Sequence, residues 1–144
     1  MPRILSTAVS LMVFVSLAAI ANGEDPKAKE AEKKAILSAE AWLTLIDQEK
    51  YGEGWESAAS YLKGAVSKDD FVKALTPARK PLGKMISRKL KSTEYRTSLP
   101  GAPDGEYVVI QFETSFENKK AGIETVTPML DKDGMWKVSG YFIK

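Results

Sequence analysis

TSLPGAPDGEYVVIQFETSF, residues 97–116, decides the fold. Pro100 to Gly105 set the backbone of a connection without offering side-chain chemistry. The next ten residues alternate, with Val108, Ile110, Phe112, Thr114 and Phe116 on one face and Tyr107, Val109, Gln111, Glu113 and Ser115 on the other. A period of two with one apolar set is a strand with one buried side, and the first set is its core face. The stretch therefore predicts the close of one strand (Thr97 to Leu99), a rigid connection, and a main core strand from Tyr107 to Phe116.

Alternation extends in both directions from there. A preceding strand is expected over about Lys84 to Leu99, with Ile86, Arg88 and Leu90 sharing one face while Lys89 and Lys91 point the other way. A third strand is expected over about Ile123 to Leu130. Asp133-Gly134 then signals a hairpin into a fourth, Met135 to Lys144, with Trp136, Val138 and Phe142 on one side. Gly140 marks a bulge or strong curvature. Pro128 would remove a ladder hydrogen bond from an inner strand, so either Thr127-Pro128 is bulged or the third strand lies at an edge.

Upstream of Lys84 the period is helical. Asp25-Pro26 opens a helix that runs to about Asp47, with Ala39, Trp42, Leu43 and Ile46 on one stripe and a solvated, charged first half. Tyr51 to Gly54 is expected to break it. WESAASYLKG then places Trp55, Ala58, Ala59 and Leu62 at helical spacing, and Ser67 to Asp70 resembles a capping box ahead of a third helix carrying Phe71, Ala74 and Leu75. Pro77 should end or kink that helix. Helices followed by antiparallel strands define an α+β fold: N-terminal helices packed on a curved, four-stranded antiparallel sheet, delivering Trp42, Trp55, Leu62, Phe71 and Leu75 to its concave face.

Residues 1–21 read as a secretory signal peptide. Arg3 supplies the positive start, Ile4 to Ile20 an apolar run diluted by Ser and Thr, and Ala19 and Ala21 an A-x-A exit, with cleavage after 21 or 23. The run is too short and too polar for the ~20 apolar residues of a spanning helix. Residues 22–40 form the charged start of the first helix and residues 41–144 a single α+β domain. The expected location is periplasmic or secreted, with no membrane span after cleavage. The chain has no cysteine, so it is not a lipoprotein and must be held by packing rather than disulfides.

Histidine is absent too. Without His and Cys the chain cannot build a Ser-His-Asp or Cys-His unit, a thiolate nucleophile, or a typical zinc or haem site, so no cofactor and no metal are expected. Asp131-Lys132-Asp133-Gly134 lacks the spaced ligands of a calcium loop and reads as a turn.

SRKLKSTEYRTSLPGAPDGEYVVIQFETSFENK, ETVTPM and DGMWKVSGYFIK, preceded by AWLTLID, YGEGWESAA and KPLGKMISRKLKS, resemble a bacterial family known as domain of unknown function 4019. The resemblance covers about Ala41 to Lys144 and departs from the expected uninterrupted third helix at Thr76-Pro77. It implies small exported proteins with the cone-shaped architecture of cystatin-like and nuclear-transport-factor-two-like groups. It supplies no activity and no catalytic residues.

Three sets of residues carry what functional signal there is. Phe71 to Thr93 holds seven basic residues and no acidic one, including Lys80, Lys84, Lys89 and Lys91. This points to an anionic envelope lipid, glycan or protein rather than nucleic acid, and against it stands a solvated face that guards a sheet edge. Arg88, facing inward beside aromatic side chains, is a candidate ligand-binding group, whose plain alternative is an internal salt bridge or an exposed strand end, and Tyr107 and Gln111 are further ligand-binding candidates on the other face of the second strand. Glu113, Glu117 and Glu124 are the carboxylates available for general acid/base work. The sequence thus supports a non-catalytic binding or interaction protein, with a small carboxylate-dependent enzyme of isomerase or lyase type as the alternative.

Overall fold

The computed structural model describes residues 25–144, so the leader over residues 1–21 lies outside the described residues. Helix α1, Pro26–Asp47, opens as expected: the Asp25 carboxylate accepts from the Lys27 N–H and Pro26 stands at the first turn. One stripe of α1 is buried along its whole length. Ala31 and Ala35 precede Ala39, Trp42, Leu43 and Ile46 in it, so the charged first half is not merely solvated. Alanine on that stripe lets the helix lie close to the sheet.

The middle of the helical half differs from expectation. Tyr51 to Gly54 does not break the chain but begins α2, Tyr51–Glu56. The single helix read from Trp55 to Gly64 is instead split, and α3 runs from Ser60–Ala65. Tertiary partners explain the split. The Ala59 N–H donates to the Val138 carbonyl at 2.8 Å, and the Ser60 N–H and hydroxyl both donate to the Asp131 carboxylate, at 2.9 and 3.0 Å. These bonds tie the start of α3 to the sheet, where local spacing alone would have continued a helix.

Helix α4, Lys68–Arg79, begins under the Ser67 cap and runs through Pro77. The expected break is not there. Pro77 lies in the last turn, where it forfeits one backbone bond, and the Thr76 hydroxyl donates back to the Val72 carbonyl at 2.6 Å. A 3-10 turn, Lys80–Leu82, then leads into the sheet.

Strands β1 (Met85–Arg96), β2 (Tyr107–Phe116), β3 (Lys119–Leu130) and β4 (Trp136–Ile143) form one antiparallel sheet in the order β1-β2-β3-β4. The core face of β2 is as read: Val108, Ile110, Phe112, Thr114 and Phe116 are all buried. Val108, Ile110 and Phe112 meet the α1 stripe with Val126 and Val138 in one cluster. Full burial of side chains of this kind stabilises by about 1.5–3 kcal/mol each, so this contact is the main source of stability.

Both edge strands are bulged, and the bulges correct the expected faces. In β1 the register shifts between Met85 and Ser87 and again between Leu90 and Ser92. Ile86 is therefore thrown outward and is 63% exposed, while Arg88 and Leu90 stay opposite Thr114 and Phe112. After the second shift Thr93 and Tyr95 take the inward positions, opposite Ile110 and Val108. In β4 the pairing steps from Thr127↔Gly140 to Pro128↔Val138, leaving Ser139 as the extra residue. Tyr141 consequently turns inward and Phe142 outward, against the expected grouping of Phe142 with Trp136 and Val138. Pro128 thus sits at a bulge within an inner strand, the first of the two arrangements its sequence position allowed.

Candidate functional site

Where the C-terminal end of α1 meets β1 and β3, four charged side chains converge. Asp47 is the last residue of α1, and Arg79 the last of α4. Arg88 comes from β1 and Glu124 from β3. Arg88 forks between the two acids: its two terminal nitrogens donate to the Asp47 oxygens at 2.8 and 2.9 Å, and its Nε donates to Glu124 at 2.7 Å. Arg79 donates to Asp47 at 3.3 Å and to the Gly83 carbonyl at 2.6 Å, with its guanidinium 4.6 Å from the centre of the Phe116 ring. Glu124 is fully buried and also accepts from the Thr114 hydroxyl at 2.6 Å and from the Tyr141 hydroxyl.

The electrostatics follow from this geometry. Burial alone would make the Arg88 guanidinium easier to deprotonate, but its bonds to Asp47 and Glu124 outweigh that and hold it more firmly charged than a free arginine. Burial and the Glu124 charge push the Tyr141 phenol well up, so it stays a neutral donor. Two cations and two anions, buried at Arg79 and Glu124 and partly buried at Arg88 and Asp47, neutralise each other, which is the arrangement that makes interior charges tolerable. The cluster fixes α1, α4, β1 and β3 to one another. Glu124 is closed off in the interior, whereas Asp47 reaches the edge of an open groove with its carboxylate already bonded to Arg79 and Arg88.

The three candidate carboxylates do not meet. Glu124 faces the interior, opposite Phe112, whereas Glu113 pairs with Ile123 and points to the outer face. Glu117 lies in the β2–β3 turn, exposed, and accepts from the Lys84 backbone N–H. The ligand-binding candidates also separate. Arg88 is in the cluster. Tyr107 is 1% exposed, although it belongs to the outer face, because the 97–106 connection folds over it and Pro103 accepts its hydroxyl. Gln111 lies partly buried on that face beside Ser92. Asp47, Arg79, Thr114 and Tyr141 were not read as site residues. The signal for the first was the demand of an inward Arg88 for a carboxylate, and for Thr114 it was a hydroxyl on an otherwise apolar core face.

Asp131 is likewise spent on structure: the Ser60 N–H, the Lys132 N–H and the Ser60 hydroxyl hold its carboxyl below the usual carboxylate range. Among the described residues no group of three His, Cys, Asp or Glu is placed to hold a metal, and no helix is long and apolar enough to cross a membrane.

The surface has two grooves of note. One, about 580 Å³, runs between α1 (Leu37, Ala41, Leu45) and the β3–β4 turn with the start of β4 (Met135, Trp136), with walls mostly apolar. The other, about 380 Å³, opens beside the charge cluster and is lined by Arg79, Lys80, Lys84, Glu49 and Glu117 among others. Glu49 adopts a left-handed backbone, φ 61°, at the end of α1. There its N–H donates to Ile46 and that of Lys50 to Leu45, closing the helix in a Schellman arrangement that usually carries glycine. The expected basic patch divides between the two sides of the β1 edge. Lys80 and Lys84 line the second groove, and Lys89 stands with Lys120 in a shallow depression on the outer face.

Fold and site together define a helix-on-sheet α+β domain whose interior charges are mutually neutralised and whose unpaired cations are external. The chain belongs to the family described as Protein of unknown function (DUF4019), whose model matches residues 38–141. No curated protein and no solved structure matches it.

Proposed function

We propose that this is an exported, non-catalytic binding protein for an anionic partner of the cell envelope. What carries the reading is the contrast in how its charges are used. Asp47, Arg79, Arg88 and Glu124 are bonded to one another inside. Lys80, Lys84, Lys89 and Lys91 stand exposed with no ion pair to any described residue. Interior groups committed to each other are poor acids, bases or ligand anchors, whereas unpaired surface cations create a field that attracts anions.

Two measurements test it. Fractionation of expressing cells should place the protein outside the cytoplasm, with a mature N-terminus at Asn22 or Glu24. A melting-temperature screen of that protein against anionic vesicles, polyphosphate and sulfated glycans should give an upward, salt-sensitive shift with at least one of them. A cytoplasmic protein, or no shift across the screen, would overturn the reading. Replacing Glu113 and Glu117 with Gln should leave any deletion phenotype complemented, and a loss would favour carboxylate catalysis instead.

A further inference from the structure

We infer that the end of the sheet carrying the β2–β3 turn docks on a bilayer containing anionic phospholipid. The inference rests on the binding reading above and names its partner and its orientation. The 3-10 turn is stapled to the β2–β3 turn at this end: the Asn118 N–H donates to the Leu82 carbonyl at 2.9 Å, its side-chain amide to Pro81 at 2.9 Å, and the Glu117 N–H to Lys84 at 2.9 Å. Those contacts gather lysines distant in sequence. Lys80 and Lys84 come from one side, Lys119 stands opposite Phe116 at the start of β3, and Lys89 and Lys120 share one depression.

None of these five ammonium groups has an ion pair with a described residue. Four lysines elsewhere do, Lys27 with Glu106, Lys34 with Glu30, Lys68 with Glu56 and Lys137 with Asp133, while others such as Lys33 and Lys132 do not, so what marks this end is the gathering of five. Glu49, Glu113 and Glu117 are the acids nearby, so the end keeps an excess of positive charge. In its midst the first β1 bulge pushes Ile86 outward, between Lys84 and Lys89 in sequence.

That combination fits a bilayer better than a polymer. Flexible ammonium heads spread over one end of the sheet, on both of its sides, do not specify a fixed array of acids. They match a fluid layer of phosphodiesters, each lysine adding to adsorption and all of them screened by salt. An exposed aliphatic side chain among them gains by entering the acyl boundary, which a glycan does not offer.

The test uses the protein as recovered from expressing cells, sedimented with vesicles of phosphatidylcholine alone or of equal parts phosphatidylcholine and phosphatidylglycerol. Binding to the anionic vesicles, and its release by salt, is expected. The pair Lys84→Glu and Lys120→Glu should weaken it at least tenfold. The pair Lys33→Glu and Lys132→Glu makes the same net-charge change at the opposite end and should weaken it far less. Ile86→Ser should weaken it severalfold with the melting temperature kept. Equal loss from both pairs, or binding indifferent to phosphatidylglycerol, overturns the proposal. No vesicle binding combined with a melting shift from polyphosphate or sulfated glycan overturns the lipid assignment but leaves the binding reading standing. Neither response overturns both.

Discussion

The charge cluster under α1 and the lysine-bearing end of the sheet are neighbours, yet they use charge in opposite ways. In the cluster each ion has a bonded counter-ion and little water, so its worth is structural and its loss is costly. At the sheet end the ions have water and no counter-ion, so their removal should barely touch stability while changing what the surface attracts. Proximity to the proposed docking surface therefore does not make Arg88 or Glu124 part of it. The decisive difference is whether the group has a partner within the fold.

The largest expected effect tests the interior half of that contrast. Arg88→Met strips Glu124 of its only ion-pair partner among the described residues and should cost about 3–5 kcal/mol, read as the midpoint and slope of urea unfolding. A cost under about 1 kcal/mol would mean that the cluster is not the tie we describe. Next, Tyr141→Phe removes one donor to a buried carboxylate and should cost about 1.5–3 kcal/mol at neutral pH.

The same variant has a signature in alkali. Because folding raises the Tyr141 pKa above that of a free phenol, the stability it contributes is fully present below about pH 10 and is lost as pH rises further. Tyr95, pushed up to about 12 by burial and by the Glu106 carboxylate that accepts its hydroxyl, acts in the same direction. Tyr141→Phe should therefore flatten the decline in stability between neutral pH and the alkaline limit, and an unchanged decline would count against it.

A smaller, opposite effect is expected at Glu49. Glycine there relieves a left-handed backbone and should stabilise by about 0.5–1 kcal/mol, read as a raised urea midpoint. Smallest of all, Lys84→Glu with Lys120→Glu should shift stability by no more than about 0.5 kcal/mol, as surface substitutions do. A larger loss would place those lysines in the fold and erase the contrast.

Much of the fold was legible because β2 and α1 each carry an uninterrupted period. Val108 through Phe116 alternate without a fault, and Ala39 through Ile46 keep one stripe. The places misread are those where a distant partner overrides local spacing. Asp131 captures Ser60 and splits a helix, and Ser139 adds one residue to β4 and exchanges the faces of Tyr141 and Phe142. The charge cluster was half legible. An inward Arg88 demands an acid, but which acid depends on where α1 ends over the sheet, and periodicity does not carry that information. That Glu113 and Glu124 point to opposite faces was legible in principle, once the register pairs Glu113 with Ile123.

The bulges at the two margins of the sheet have a further consequence, for solubility. A flat outer strand is a template on which another chain can add, layer by layer, toward a fibril. Here the ladder is dislocated twice in β1 and once in β4, and lysines stand along β1. A domain with no covalent staple, and with Ile86, Leu90 and Phe142 exposed near those margins, thus denies incoming strands a continuous row of backbone donors and acceptors.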